Sequence, residues 1–221
     1  MNNEFNEEIK KSILKSGTSI VGIKCSDGVV LASDRQVSAG NLVVAKNFQK
    51  IFQVNDRLLA AITGGVADAQ FLMRIIAAEL RLKELKNKQS PTVKESASML
   101  AFLTFRNIRT PSMIPSIVGT LVAGLDSDGI AKLFTVEPAG AISEVEDYDA
   151  NFGSGMPFML GVLERGYKKD MNVKQGVQLA IECLKASTQR DMGSGYGIDI
   201  YTLTKEGIKK VVSQEIKAVF E

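Results

Sequence analysis

The 221-residue chain contains no histidine and no tryptophan, and it has only two cysteines. Without histidine, the chain by itself cannot build a Ser-His-Asp or Cys-His nucleophilic site, a His-rich zinc site or an imidazole pH switch. Any hydrolytic chemistry that it performs must therefore use other bases. The length suits one sizeable globular domain or two small ones.

The sequence also lacks a strong charge bias, a cysteine framework and a long apolar run. Its net charge of +2 comes without a basic cluster interleaved with aromatics, which argues against a nucleic-acid partner. Cys25 and Cys183 form no CxxC pair, so we expect two packed thiols in a reducing compartment. No apolar run approaches the roughly 20 residues that span a bilayer. These features predict a soluble, cytoplasmic protein with no membrane partner.

Residues 1–17 are polar and differ in composition from the rest of the chain. Phe5, Ile9 and Ile13 recur every four positions, which predicts a short amphipathic helix. The segment has no apolar core like that of a secretory signal, and its glutamates argue against a transit peptide. An apolar, β-branched run begins directly after Gly17-Thr18.

The remaining sequence alternates between strand-like and helix-like patterns. The Asp27-Gly28 dipeptide predicts a hairpin over 18–34, and two short apolar runs predict a second strand pair at 48–54 and 58–62. We expect these four strands to form one antiparallel sheet. The elements predicted after them are two helices, three strands of a second sheet, two more helices and a final strand pair: 66–85, 91–107, 117–125, 131–136, 141–148, 155–167, 173–187, 197–203 and 208–212.

This order of elements predicts the fold class. Each sheet and each helix pair has one apolar face to bury, so stacked layers of helix, sheet, sheet and helix are the economical arrangement. We therefore predict an α+β fold, a four-layer αββα sandwich with two antiparallel sheets between helix layers. No Pro/Gly-rich linker divides the chain, which indicates one domain after an N-terminal extension.

Thr18 is the first candidate for chemistry. A threonine hydroxyl is a weak nucleophile unless a base lies beside it, and an N-terminal α-amine, with an unperturbed pKa of about 7.7–8.0, can be that base. Cleavage before Thr18 would create both groups on one residue. Taken alone, Gly17-Thr18 equally suits an ordinary strand start.

Three further residues fall in or beside strands of the predicted first sheet. Asp34 and Lys50 have the plain interpretation of charges on a solvated strand face, but together they allow a buried lysine held by a carboxylate near the threonine hydroxyl. Gly64 is either a turn glycine or a donor of its amide N–H to a developing oxyanion.

Two small, hydroxyl-bearing turns lie beside predicted helix ends. They contain Ser154 in the first and Asp191 and Ser194 in the second. In isolation, helix capping is the favoured interpretation of both.

As an ordered set, these segments resemble the β subunits of the 20S proteasome, most closely archaeal ones. The resemblance covers nearly all of residues 18–213 and implies the fold of N-terminal nucleophile hydrolases, which agrees with the predicted layers. The matching segments are the Gly17-Thr18 junction, VGIKCSDGVVLASDR (21–35), Gly40-Asn41, Lys46, KIFQV (50–54), TGGVADAQ (63–70), GSGMPFMLGVLE (153–164) and RDMGSGYGIDIYTLT (190–204).

The resemblance implies a role for each candidate residue. Thr18 is then the catalytic nucleophile, Asp34 and Lys50 are the partners that orient and activate it, and the backbone N–H of Gly64 belongs to the oxyanion hole. The residues expected to hydrogen-bond around the threonine amine and complete the site are Ser154, Asp191 and Ser194.

The resemblance also implies maturation from a zymogen. Residues 1–17 are then a propeptide and residues 18–221 the catalytic domain, with cleavage between Gly17 and Thr18. Thr18 would attack the Gly17 carbonyl in an intramolecular N-to-O acyl shift, and Gly17 can adopt the tight turn this requires. The mature threonine endopeptidase would degrade unfolded proteins in a barrel chamber through an acyl-enzyme, with no cofactor and no metal.

The implied partners are those of a barrel of stacked rings. They are proteasome α subunits, other β subunits in heptameric rings of a four-ring barrel, an ATP-dependent unfoldase, and peptide or protein substrates. Four apolar residues fall where the family lines its primary specificity pocket, and we expect a pocket that prefers hydrophobic residues, with Phe48 placed to narrow it. These residues are Val37, Phe48, Ile62 and Val66.

Four positions depart from the pattern that this resemblance leads us to expect. Ser19 and Ile20 stand where archaeal members commonly have threonines, which is chemically conservative. Gln36 replaces a frequent arginine, and Met156 replaces a frequent small polar residue. We expect these two to change the charge near the candidate lysine and the packing beside the Gly-Ser-Gly turn.

Two alternatives stay open from sequence. One is the bacterial relative that forms dodecamers with an unfoldase, but its chains are shorter and lack the C-terminal pattern seen here. The other is an unprocessed, catalytically silent β-type ring subunit with a structural role. The intact set of candidate residues argues against the second alternative.

Overall fold

The computed structural model describes residues 17–112, 114 and 116–216. The predicted amphipathic helix over residues 1–17 therefore lies outside the described residues, apart from Gly17. In the described part of the chain, no helix combines the length and the hydropathy needed to cross a bilayer.

The described residues form twelve strands and four helices. The strands are β1 (Ile20–Cys25), β2 (Gly28–Asp34), β3 (Val37–Ala39), β4 (Leu42–Ala45), β5 (Ile51–Asn55), β6 (Leu58–Gly64), β7 (Val118–Leu125), β8 (Ala131–Val136), β9 (Ile142–Glu144), β10 (Tyr148–Asp149), β11 (Gly197–Thr204) and β12 (Gly207–Glu215). The helices are α1 (Val66–Asn87), α2 (Val93–Arg109), α3 (Met156–Gly166) and α4 (Val173–Thr188).

The strands build two five-stranded antiparallel sheets and one separate hairpin. The first sheet has the order β10-β1-β2-β11-β12 and the second β5-β6-β7-β8-β9, while β3 pairs only with β4. One apolar cluster joins the first sheet to α3 and α4, another joins the second sheet to α1 and α2, and a third lies between the sheets. The predicted four-layer αββα sandwich is therefore confirmed.

The predicted membership of the sheets is wrong. We expected the first four strands to share one sheet, but β1 and β2 pair with the last strands of the chain, whereas β5 and β6 pair with β7 and β8. A hairpin signal identifies the two strands that a turn connects, but it does not say which other strand will lie beside them. Strand β2 is buried along its whole length, so its sequence does not alternate between polar and apolar residues. Such a sequence gives no indication of which strands lie beside it.

Two helix boundaries also differ from the prediction. Helix α1 continues to Asn87, whereas the predicted helix ended at residue 85. Helix α2 begins at Val93 and not at Pro91, because Thr92 and Glu95 form a reciprocal capping box that fixes the first turn. The β3–β4 hairpin was not predicted, and the predicted strand at 141–148 is divided between β9 and β10, which lie in different sheets.

The sandwich brings the ends of three strands together. Thr18 precedes β1, Asp34 is the last residue of β2, and Gly64 is the last residue of β6 in the opposite sheet. Fully buried leucines between the sheets hold the two layers against each other, and each such side chain contributes about 1.5–3 kcal/mol relative to exposure. The core thus positions residues from both sheets at one edge.

Candidate active site

Thr18 lies buried at this edge, with its hydroxyl group between a carbonyl and an amine. Its Oγ1 donates a hydrogen bond to the carbonyl oxygen of Gly17 at 2.6 Å and accepts one from Nζ of Lys50 at 3.2 Å. The backbone N–H of Thr18 donates to Oγ of Ser154 at 3.0 Å. The hydroxyl therefore lies against the carbonyl group of the peptide bond that precedes it.

Asp34 and Lys50 form a buried ion pair beside Thr18. Their Oδ1 and Nζ atoms are 2.6 Å apart, and their side chains are 0% and 3% exposed. The carboxylate also accepts backbone N–H groups from Ser19 at 2.9 Å, Gln36 at 2.9 Å and Gly195 at 3.0 Å. Charge-assisted bonds of this kind are stronger than neutral ones, so they fix the carboxylate and, through it, the lysine.

Burial changes the acid–base behaviour of Lys50. Desolvation lowers the pKa of its amine from the usual 10.5, against the opposing attraction of Asp34 and Asp191. A lowered pKa makes the neutral amine, which can accept a proton, more accessible near neutral pH. In the structure, Nζ of Lys50 donates to Oγ1 of Thr18, so this amine is in direct hydrogen-bonding contact with the hydroxyl in a chain that has no imidazole.

A second polar network surrounds the Thr18 nitrogen. Oδ2 of Asp191 accepts hydrogen bonds from the hydroxyls of Ser154 and Ser194, each at 2.6 Å. Ser154 is the residue that contacts the Thr18 N–H. The two turns for which helix capping was the favoured interpretation in isolation thus meet at Asp191.

Ser19 is a site residue that sequence analysis missed. The sequence marks it only as a conservative replacement of threonine, yet its hydroxyl lies 2.7 Å from that of Ser194 and its N–H donates to Oδ1 of Asp34. It therefore connects the two networks. Its position directly after the candidate nucleophile was the one signal in the sequence that pointed to it.

Gly64 has a backbone that other residues rarely adopt. Its φ is +99°, and a Cβ at this position would come within 2.0 Å of the Ile117 carbonyl oxygen. Only glycine fits here without displacing the neighbouring strand. Gly64 lines the same small cavity as Thr18 and Lys50.

The four predicted pocket residues come together around this cavity. Its free volume is only about 10 Å³, and its apolar walls are formed by Val37, Phe48, Ile62 and Val66. Phe48 packs edge-on against Phe52, with ring centroids 6.5 Å apart. A cavity of this size holds about one water molecule, and Gly17 forms part of its wall.

The two unusual residues near the site have defined surroundings. The side-chain amide of Gln36 donates to Oγ of Ser38 at 2.8 Å and to the carbonyl oxygen of Met192 at 2.7 Å. It thereby ties the turn that carries Asp191 to the start of β3. Met156 is half-buried and packs against the apolar cluster under α3 and α4.

Comparison with known proteins identifies the family. A family model described as proteasome subunit matches residues 14–203. The chain belongs to the proteasome subunit family. A proteasome subunit beta of Nanoarchaeum equitans is 43% identical over 194 residues, which cover 88% of this chain and 96% of that protein.

Two other relatives place the chain in the same branch of the proteasome family. A proteasome subunit beta of Ferroglobus placidus is 37% identical over 205 residues, covering 93% of this chain and 95% of that protein. A proteasome subunit beta 1 of Thermococcus onnurineus is 40% identical over 205 residues, covering 93% of this chain and 97% of that protein. The predicted resemblance to archaeal β subunits is confirmed.

Proposed function

We propose that Thr18 is the catalytic nucleophile of this chain and that it becomes active when residues 1–17 are removed. As a proteasome family member whose relatives are β subunits, the chain is a threonine-type endopeptidase subunit of the proteasome. The observation that carries the proposal is the buried Thr18–Lys50–Asp34 chain of hydrogen bonds, which ends on the Gly17 carbonyl.

Removal of the propeptide follows from this geometry as an intramolecular reaction. The neutral amine of Lys50 accepts the hydroxyl proton, and Oγ1 of Thr18 bonds to the carbonyl carbon of Gly17. The bond from this carbon to the Thr18 nitrogen then breaks as the nitrogen takes up a proton. Water hydrolyses the resulting ester, which leaves a carboxylate on Gly17 and a free α-amine on Thr18.

Substrate cleavage repeats the chemistry with an external peptide. Oγ1 of Thr18 attacks the substrate carbonyl, the N–H of Gly64 stabilises the oxyanion, and the amine half of the substrate leaves. Water then hydrolyses the acyl-enzyme ester. The freed α-amine of Thr18 would stay beside Ser154 and Asp191, whose hydrogen bonds support its position.

Assembly supplies the chamber in which this chemistry acts. We infer heptameric rings of β subunits between rings of α subunits, served by an ATP-dependent unfoldase in the cytoplasm. Exposed apolar side chains support burial against neighbouring subunits, since Leu42 is 72% and Val44 66% exposed in the β3–β4 hairpin.

The test uses the assembled full-length chain. N-terminal sequencing should find Thr18 as the first residue, and a threonine-directed electrophile should label it. Thr18→Ala should keep the segment before position 18, lose peptide hydrolysis and still assemble. Thr110→Ala, on an exposed helix end, should behave like the wild type. A wild-type subunit that keeps residues 1–17 and resists labelling would instead establish the structural, catalytically silent role.

A further inference from the structure

The turn after α4 packs against the peptide bond between Gly17 and Thr18. The contact is made by Gly193 and Gly17, and it is too close for either residue to carry a side chain. A Cβ placed on Gly17 would lie 2.0 Å from Cα of Gly193, and one placed on Gly193 would lie 2.3 Å from Cα of Gly17. Carbon atoms in ordinary contact are about 3.5–4.0 Å apart. The two glycines therefore pack backbone against backbone, and a methyl group on either must displace the other by more than about 1 Å.

The turn that carries Gly193 is held in place and has little freedom to retreat. The N–H of Gly193 donates to Oδ1 of Asp191 at 3.0 Å, and the carbonyl of Met192 accepts from the Gln36 side chain at 2.7 Å. Asp191 is itself bonded to the hydroxyls of Ser154 and Ser194. A side chain at position 193 would therefore press against Gly17, because these hydrogen bonds hold the turn in place.

The position of Gly17 decides where its carbonyl lies relative to the nucleophile. That carbonyl oxygen accepts a hydrogen bond from the Thr18 hydroxyl at 2.6 Å. Reactions between oriented groups lose about 100-fold in rate when the reacting atoms are misplaced by about 1 Å. The contact between Gly193 and Gly17 exists only while Gly17 is attached, because Gly17 leaves with the propeptide, whereas the contact of position 193 with Ser154 remains.

We infer that Gly193 is a positioning residue for propeptide removal: its lack of a side chain leaves the space in which Gly17 holds its carbonyl against the Thr18 hydroxyl. This inference rests on the proposed self-cleavage at Gly17. It separates maturation from turnover, because Gly193 serves the first reaction and is dispensable for the second.

The experiment follows maturation of the full-length chain in the assembled particle. Intact-mass spectrometry over time gives the rate at which subunits beginning with Thr18 appear. Gly193→Ala and Gly17→Ala should each slow this rate by about 100-fold, as expected for a misplacement of about 1 Å. Because both changes disturb the same contact, the double variant should be slower than either by much less than the product of the two effects.

A second readout distinguishes positioning from general damage. After long incubation, kcat/KM is measured per subunit that begins with Thr18. The mature product of Gly17→Ala has the wild-type sequence and should have wild-type kcat/KM, and that of Gly193→Ala should stay within about threefold, since Gly17 has left and only Ser154 must adjust. Gly161→Ala is the control, because a Cβ at Gly161 meets no atom within 4 Å.

Several outcomes would overturn the inference while leaving the proposed function intact. One is a Gly193→Ala particle that matures at the wild-type rate, and another is an equal loss of maturation and of kcat/KM per mature subunit. If Gly193→Ala does not assemble, the test relies on Gly17→Ala. Maturation of Gly17→Ala at the wild-type rate then contradicts the inference. A wild-type chain that never cleaves before Thr18 would instead contradict the proposed function.

Discussion

Nζ of Lys50 lies 3.2 Å from Oγ1 of Thr18, in a position where both side chains are buried. The same nitrogen is 2.6 Å from Oδ1 of Asp34, so the lysine connects the hydroxyl to a carboxylate. In a chain without histidine, this amine is the group placed to exchange a proton with the hydroxyl while residues 1–17 are attached. It is therefore the first residue on which the proposed chemistry can be tested.

Lys50→Met should slow both maturation and peptide hydrolysis, because the proposed reaction loses the amine that accepts the hydroxyl proton. General acid–base groups of this kind contribute about 10²–10⁴-fold to a rate, and we expect a loss in that range. Maturation is measured by mass spectrometry and hydrolysis with a fluorogenic peptide. Lys83→Met, which changes a half-buried lysine paired with the exposed Glu95, is the matched control. Retention of near wild-type rates by Lys50→Met would exclude Lys50 as the base.

The pH dependence of maturation should report the same amine. Burial lowers the pKa of Lys50 below 10.5, and only the neutral form accepts a proton, so the rate should rise as pH increases through this lowered pKa and then level off. The measurement is the first-order maturation rate of the full-length chain across a pH series. A rate that falls as pH rises from acid to neutral has the opposite sign and would contradict a neutral-amine base.

The apolar lining of the pocket predicts a preference among hydrophobic substrates. Because the ring of Phe48 occupies part of this pocket, we expect small apolar residues such as alanine and valine to be accepted before leucine or phenylalanine. Phe48→Ala should shift the ratio of kcat/KM toward leucine by at least about 10–200-fold, the range that a single methylene group produces in a hydrophobic pocket. Phe102→Ala, an exposed aromatic, is the control. A peptide panel that favours acidic or basic residues would contradict the apolar pocket itself.

Arg35 should contribute to stability through Asp199. Its guanidinium donates to both carboxylate oxygens, at 3.1 and 2.6 Å, and Lys210 lies 2.7 Å from one of them. Arg35→Met should therefore lower the free energy of unfolding by about 2 kcal/mol, a typical value for hydrogen bonds to a charged group, with Lys210 as the remaining partner. Urea unfolding of the full-length chain measures the change, with Arg74→Met on the exposed side of α1 as the control. An unchanged midpoint would show that the pair contributes nothing.

The Arg35–Asp199 pair also predicts how the free energy of unfolding changes in acid. Burial alone would raise the pKa of Asp199, but hydrogen bonds from Arg35 and Lys210 outweigh it and hold the pKa below 3.8. The unfolded chain then binds more protons than the folded chain near that pH, so this stabilisation is present above pH 3.8 and lost as pH falls through the folded-state value. In Arg35→Met, the stabilisation from ionised Asp199 should be lost at a higher pH than in the wild type. Unfolding curves with the same acid dependence in both proteins would contradict this assignment.

The two thiols should be inert in the folded protein and should limit its stability in alkali. Burial raises the pKa of Cys25 and of Cys183 from 9.0 to about 12. The unfolded chain loses these protons first, so the free energy of unfolding should fall as pH rises above about 9. An aromatic disulfide reagent should react with neither thiol until urea unfolds the chain. Rapid labelling of the native protein would show that the thiols are not enclosed.

The amino-acid sequence by itself determined the local elements and the chemistry that was available. The Asp27-Gly28 turn predicted β1 and β2 because the turn and its flanking runs are neighbours in the chain. The absence of histidine restricted the candidate bases, and the ordered segments around Thr18, Asp34 and Lys50 indicated the family. The sandwich of four layers followed from the order of apolar faces.

Only the tertiary structure decided which strands share a sheet and which residues complete the site. Pairing between β2 and β11 joins residues more than 150 positions apart, such as Asp34 and Ile198, and no local pattern encodes such a partner. The role of Ser19 depends on Ser194, and the role of Gly193 depends on Gly17, because each is a contact between distant segments. Local physics selects the turns and helices, whereas these contacts exist only after the core has closed.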